Sequence, residues 1–384
     1  MANTLTNLIP DIRVGLDKVS RELVGMIRAA RLDPRTARRA AIDQTIRWFV
    51  TPTVSAADNT PAQTAPNTGD QTIGSDTMTI SQSRHAAIRW TGEEELSLAE
   101  ADNGSAAAIR QDQFAQAFRT LTNEIEEDLW QAAYQGASRA YGTATTTPFA
   151  ASTVELANVR RILEDNGAPL TDLQCVVGSA AAVNLRTLKI LTAANEAGSD
   201  ATLRRGDIPM IHGFQIGVSG KIASHTAGTG TGYLVNNASD EAVGETAITT
   251  DTGSGTILAG DIVTFANDSS LNKYVSVAAH ASNTLTIGAP GLRVLADDDD
   301  AITVGAAYTP NVCFDRDAIR LATRLPALPP GGDMAEDTTT LVDPVSGLAF
   351  EIAVYKEYLQ MHIQVRIAWG VKNAKAAHTA ILIG

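Results

Sequence analysis

SAAAIRQDQFAQAFRTLTNEIEEDLWQAAYQGASRAYG, residues 105–142, is the stretch from which the rest of the chain is read. It holds no proline, and no glycine before Gly136. Phe114, Phe118, Leu121, Ile125, Leu129 and Ala132 recur at steps of three and four, the spacing of one face of an α-helix. Ser105 is placed to cap the start, and Gly142 follows the expected last turn. At ~1.5 Å per residue the stretch predicts a rod roughly 45–50 Å long, so the segments before and after it must lie along it. The opposite face carries Arg110, Asp112, Arg119, Glu126 and Glu127, which argues against a membrane span.

A chain of 384 residues is long enough for two or three domains and a sizeable core. Aromatic residues are few, 5%, while Ala, Thr and Gly are abundant, which suits sheet-rich structure and close subunit packing more than a deep cofactor pocket. The net charge of −13 excludes a general nucleic-acid binder. Cys175 and Cys313 stand singly among apolar residues and read as buried free thiols, in keeping with a reducing cytoplasm. No apolar run follows a basic amino end, so neither a signal peptide nor a lipid anchor is expected.

Within residues 1–31 Ile12, Leu16, Val19, Leu23 and Ile27 form the stripe of an amphipathic helix, with Pro10 near its start. Residues 1–50 carry nine basic and five acidic side chains, a net of +4 in an acidic protein. That arm is either a contact for an acidic partner or a solvated helix face. TIRWFVTPTV (45–54) and DTMTISQSRHAAIRW (76–90) read as extended runs joined by a loop rich in Pro, Gly, Asn and Thr. Such a ribbon is marginal alone, so something outside the subunit is expected to hold it.

An α/β region follows the long helix. Ser152-Thr-Val-Glu155 reads as a capping box opening a helix, LQCVV (173–177) as a buried strand, Ser179 as the cap of a short helix and 211–218 as a further strand. From His225 to Val304 short β-runs alternate with turn signals, the texture of a small inserted β-barrel or sandwich. NVCFDRDAIRLA (311–322) resumes the earlier kind of strand, and a hairpin from Phe350 to Trp369 closes the chain.

No coherent active site emerges. His85, His212, His225, His280, His362 and His378 are scattered and show no metal-ligand spacing. Gly228-Thr-Gly230-Thr-Gly232 lacks the spacing of a dinucleotide loop and the lysine of a phosphate loop, and Gly178-Ser179 is not a nucleophile elbow. Asp315 and Asp317 read as paired surface charges. Asp297–Asp300 is the sharpest local feature: four adjacent carboxylates need solvent, basic side chains of another chain, or a calcium ion. No catalytic, cofactor-binding or metal residue is assigned.

Four stretches carry a resemblance: NLIPDIRVGLDKVSRELVGMI (7–27), TMTISQSRHAAIRWTGEEEL (77–96), FDRDAIRLATRLPALPPG (314–331) and VYKEYLQMHIQVRIAWGVKNAKAAHTAILIG (354–384). In their order and kind these parts resemble the major capsid (coat) proteins of tailed bacteriophages, the Hong Kong 97-type fold. They are most similar to the short-tailed phage coat proteins that carry an inserted β-barrel domain. The resemblance implies an α+β fold divided as an N-terminal arm (1–45), an extended hairpin loop (46–92) and a peripheral domain with the spine helix (93–144). An axial domain in two parts (145–222 and 306–348) would flank the inserted barrel (223–305), and the C-terminal hairpin (349–384) would return to the peripheral domain.

It further implies a non-enzymatic subunit that assembles with itself into hexamers and pentamers of an icosahedral shell. Its partners would be a scaffolding protein, a portal protein and packaged double-stranded DNA met non-specifically on the inner face, with no membrane. Assembly would take place in the host bacterial cytoplasm and the end point would be the virion capsid. Some capsids of this fold cross-link a loop lysine to a neighbour, but no lysine lies between Lys18 and Lys189, so stabilisation here is expected to be non-covalent. The arm begins within a few residues of Met1, which implies a separate scaffolding protein. Two other readings are a ligand-binding or enzymatic β-domain protein, which the scattered His and Cys do not support, and an encapsulin-like compartment, against which the inserted domain speaks.

Overall fold

The computed structural model describes residues 24–384 apart from 53, 60, 62–68, 102–104, 198–200, 252, 271 and 344–345. Most of the helix expected over 1–31, with Pro10, Ile12, Leu16, Val19 and Leu23, lies outside the described residues. From that stretch the described residues include the short helix Gly25–Ala29, which buries Met26, Ile27 and Ala29 and exposes Arg28.

The chain then forms β1 (Arg31–Leu32), β2 (Arg39–Ala40), β3 (Thr45–Val50), β4 (Gly74–Thr79) and β5 (Gln82–Thr91). Strands β3 and β4 are an antiparallel ribbon in register from Thr45↔Thr79 to Val50↔Gly74. The run expected over 76–90 is therefore two strands: its first part closes the ribbon, and after Ile80-Ser81 its second part joins a different sheet. A helix over Gly92–Ala101 opens on a box the sequence reading passed over. The Thr91 amide donates to Glu94 Oε2 at 2.9 Å, and the Glu94 amide donates to Thr91 Oγ1 at 3.3 Å.

The long helix spans Ser105–Gln135, 31 residues. It stops at Gly136 rather than near Gly142, because Arg139–Gly142 is taken up as strand β6. Phe114, Phe118, Leu121, Ile125 and Leu129 are buried as the periodicity predicts, each worth roughly 1.5–3 kcal/mol of apolar burial. Glu126, expected on the solvent face, is fully buried. Its carboxylate accepts the backbone N–H of Met26 at 2.7 Å and of Ile27 at 2.9 Å, and so caps the short helix that crosses it.

Beyond β6 come the helix Val154–Asp165, β7 (Leu173–Val177), short helices between Ser179 and Arg205, and β8 (Phe214–Val218). The helix starts one residue later than the expected capping box requires. Thr153 at its N-cap makes no side-chain cap bond, and the Ser152 hydroxyl only accepts the Val154 amide at 3.4 Å. The next strands are β9 (Tyr233–Leu234), β10 (Ala247–Thr249), β11 (Ile262–Phe265), β12 (Lys273–Val275), β13 (Thr284–Thr286) and β14 (Ala301–Val304). The last are β15 (Pro310–Asp315), β16 (Ile319–Pro326), β17 (Asp337–Val342), β18 (Ala349–Glu357), β19 (Gln360–Asn373) and β20 (Thr379–Ile383).

Two large sheets organise these strands. The first has the order β1-β16-β19-β18-β17, with β2 also on β16 and β5 on β19. The long helix lies on it: Phe118 meets Phe350 edge-on at 5.1 Å, and Trp369 donates its indole N–H to Asp128 at 2.7 Å. The second sheet has nine strands in the order β8-β7-β15-β20-β6-β12-β11-β14-β9. Strands β6 and β20, placed from sequence with the long helix and the C-terminal hairpin, pair here in parallel with each other. The run 311–322, read as one strand, is broken at Arg316–Ala318 by a 3-10 turn that carries the chain from one sheet to the other.

Val154–Asp165 covers the second sheet with Leu156, Val159, Ile162 and Leu163, over a core that includes Leu173, Cys175 and Val177 of β7. Cys175 and Cys313 are opposite each other on the antiparallel β7–β15 pair. They are buried, as expected, but joined as a disulfide rather than free. A separation of 138 residues hid the pairing.

Residues 225–304 close on themselves. β9, β14, β11 and β12 are successive neighbours, and β10 pairs β13. The bridges Val235↔Thr250 and Ser276↔Ile287 complete a six-stranded antiparallel ring around Tyr233, Ile248, Val263, Phe265, Tyr274 and Leu285. The ring is not detached, since β12 also pairs β6 and so continues the nine-stranded sheet. Its entry and exit meet at the bridge His225↔Tyr308.

Candidate assembly surface

The chemistry-bearing residues do not converge. His85 is exposed on β5, His212 contacts Thr153 Oγ1 at 3.0 Å, His280 contacts Thr250 Oγ1 at 2.7 Å, and His362 lies 3.7 Å from Glu357. Burial lowers the pKa of His280 and, with Lys375 adding to it, that of His378. Among the described residues no group of three or more His, Cys, Asp or Glu is placed to hold a metal ion. Ser179 is exposed at the first position of its helix.

One buried polar cluster escaped the sequence reading. His225 Nε2 sits 2.8 Å from Asp261 Oδ1, and the His225 ring packs against Tyr134 and Tyr308 at centroid distances of 5.5 and 5.4 Å. Asp261 is fully buried and also accepts the amides of Leu258 at 2.7 Å and Gly228 at 3.1 Å. The glycine-rich loop 228–232 is thus a structural turn folded onto Asp261. Its place, where the barrel roots on the end of the long helix, makes the cluster a fastening between the two. Partners 36 residues apart, with no motif between them, leave no signal in the sequence.

Asp315 and Asp317 part company. Asp317 forms an exposed pair with Arg31 at 3.3 Å, whereas Asp315 is buried, and desolvation followed by Asp317 raises its pKa. Asp297–Asp300 is not simply a solvated loop. Asp298 Oδ1 accepts the Asn237 amide at 2.9 Å, Asp300 Oδ1 accepts the Asn267 amide at 3.0 Å, and Asp297 Oδ2 accepts from the Asn267 side chain at 2.8 Å. Three of the four carboxylates therefore staple neighbouring barrel loops. Burial, and then Asp297, raises the pKa of Asp300.

The ribbon β3–β4 has more support at its base than the sequence suggested. Met78 and Ile80 are buried with Ala40, Ala322 and Ala368, the Arg320 guanidinium lies 4.6 Å above the Trp48 ring, and Lys372 pairs with Asp76. Further out that support ends. Phe49 is 80% exposed, and Val54 and Ile73 are exposed as well. A second apolar point is the turn between β18 and β19, where Tyr358 is 89% and Leu359 73% exposed and Leu359 has φ 55°. Side chains this large on projecting tips cost solvation, and φ > 0 strains a leucine. Between β5 and the long helix runs an open trough of about 600 Å³ lined by Ile88, Ile109 and Ala117. Val183, Ile190, Leu203 and Met210 add apolar exposure along the short helices and the loop after them.

No family model matches the chain, and no curated protein matches it. Solved structures that it is similar to are capsids and capsid-like particles. The capsid of the cyanophage P-SCSP1u is 11% identical, over 91% of this chain and 86% of that one, at a TM-score of 0.46. The mature capsid of bacteriophage PhiM1 is 14% identical, over 93% and 86%, at 0.44. A virus-like particle from Pyrococcus furiosus is 8% identical, over 97% and 96%, at 0.41.

Proposed function

We propose that this chain is a structural shell subunit, the major capsid protein of a tailed bacteriophage, which completes its packing against copies of itself. The observation that carries the reading is the ribbon: it is riveted to its own subunit at Met78, Ile80 and Trp48, yet it presents Phe49, Val54 and Ile73 to solvent. An outer ribbon of this kind is a contact built for another molecule. The exposed turn at Tyr358-Leu359 supports the same conclusion from the far end of the first sheet.

On this reading the segment before Gly25 and the ribbon are contact arms, the long helix with the first sheet is the peripheral body, and the second sheet with its helices is the axial body. The barrel is a domain set into the axial body. Assembly uses a scaffolding protein, a portal occupies one vertex, and the finished shell encloses double-stranded DNA held without base-specific contact. The subunit has no catalytic role in this scheme. Heterologous contacts that close into rings account for two unlike exposed tips on one molecule.

The test is electron microscopy of the chain coexpressed with a scaffolding protein encoded in the same genome. Closed shells of uniform diameter are expected. Soluble monomers at every salt concentration, with or without scaffold, would overturn the proposal.

A further inference from the structure

A cleft of about 440 Å³ lies where the α/β layer meets the barrel, away from the apolar tips. Three elements wall it, and each supplies a cation: Arg139 from β6, Arg161 from the helix Val154–Asp165, and Lys273 from β12. Thr143, Thr146 and Ser270 bring hydroxyls to the same walls, and Glu155 is the one carboxylate among the lining residues. The cleft is therefore locally positive in a chain of net charge −13.

These cations have capacity to spare. Arg139 is 5% exposed; its two terminal nitrogens reach Asn272 Oδ1 at 3.1 Å and Asn166 Oδ1 at 3.0 Å, but its Nε has no hydrogen-bond partner. Asp165 stands 3.8 Å away, too far for a good charge-assisted bond. Lys273 donates to the Gly142 carbonyl. Arg160 is paired with Glu164 at 2.7 Å, whereas Arg161 makes no ion pair among the described residues. Burial lowers the pKa of both Arg139 and Lys273, and Arg293 and Arg161 act on Arg139 in the same direction. An anion in the cleft would relieve all of this at once.

Glu155 decides which anion. Its Oε2 is buried without a hydrogen-bond partner, so it repels a fully deprotonated ligand but accepts a hydrogen bond from one that carries a P–O–H. Inorganic phosphate retains at least one P–O–H through neutral pH, and sulfate and a nucleic-acid phosphodiester have none. The geometry points to a binding site for inorganic phosphate, with Arg139, Arg161 and Lys273 as donors to its oxygens and Glu155 as acceptor of the hydrogen bond from its P–O–H. The site is complete within one chain, so it stands or falls independently of shell assembly.

The experiment is titration calorimetry and thermal melting of the full chain at constant ionic strength, with sodium phosphate, sulfate and chloride as separate arms. Saturable binding of phosphate, at least about tenfold tighter than sulfate, is expected. Arg161→Gln combined with Lys273→Gln should weaken phosphate by at least about tenfold, and Glu155→Gln should remove the preference over sulfate. A 5′-phosphorylated oligonucleotide at pH 7.5 checks the part played by the proton, because its terminal phosphoryl group is then mostly a dianion without a P–O–H: no competition with phosphate is expected, and competition as strong as that of free phosphate would overturn the role given to Glu155. Equal effects of phosphate and chloride, equal affinity for sulfate, or phosphate binding untouched by the double variant would each overturn the site.

Discussion

Glu126 shows what one residue decides. Placed by periodicity on the polar face of the long helix, it instead turns inward because two amides at the start of a crossing helix need an acceptor there. Glu126→Ala leaves both N–H groups unsatisfied and should cost about 2–3 kcal/mol, read in urea unfolding and in faster hydrogen exchange at Met26 and Ile27. Burial raises the Glu126 pKa against those two bonds. A raised value in the folded state contributes stability at low pH that is lost as pH rises through that value. Glu126→Gln should therefore flatten the stability–pH curve on that limb. Asp333 has the opposite sign: hydrogen bonds from Tyr355 and Arg366 hold its pKa at about 2. Its contribution is present above the ordinary value of 3.8 and disappears as pH falls towards 2. Thermal melts between pH 5 and 2 should show a shallower decline in Asp333→Asn than in the wild type.

At the scale of elements, strand β19 carries the first sheet, pairing β5 along one side and β18 then β16 along the other. Gly370 stands where the base of the ribbon crosses it, and a Cβ there would overlap the Thr79 carbonyl oxygen. Gly370→Ala should thus cost about 3 kcal/mol or more by overpacking against backbone, seen as a lowered melting temperature and a loosened ribbon in limited proteolysis. The long helix and the buried strand LQCVV were legible because their patterns are local. The break at Arg316–Ala318 and the end of the long helix at Gly136 were not. In both places a neighbouring sheet competes for the chain, and pairing outweighs local propensity.

For the molecule as a whole, the exposed tips and the body answer to different demands. Phe49→Ser or Ile73→Ser should leave monomer stability within about 0.5 kcal/mol, since neither side chain is packed in its own subunit. The same variants should abolish or enlarge particles in electron microscopy and sedimentation. Normal particles from both would remove the ribbon from the assembly surface. Of the proposed assembly surface, the ribbon could be read in advance from its composition. The turn at Tyr358-Leu359 could not, because a hairpin turn of two apolar residues looks like part of a strand until its exposure is known.

The sequence by itself determined the kinds and order of the parts: an α+β chain with one long helix, a polar-looped ribbon, a region of short β-runs and a long final hairpin. Those features are periodicities of two and of 3.6, and each is written over adjacent residues. Only the tertiary structure decided which strands share a sheet, that Cys175 faces Cys313, that Glu126, Asp315 and the His225–Asp261 pair are buried, and that three cations meet in one cleft. Each of these joins residues distant in the chain, and it is the packing of sheets, not the spacing of residues, that brings them within reach.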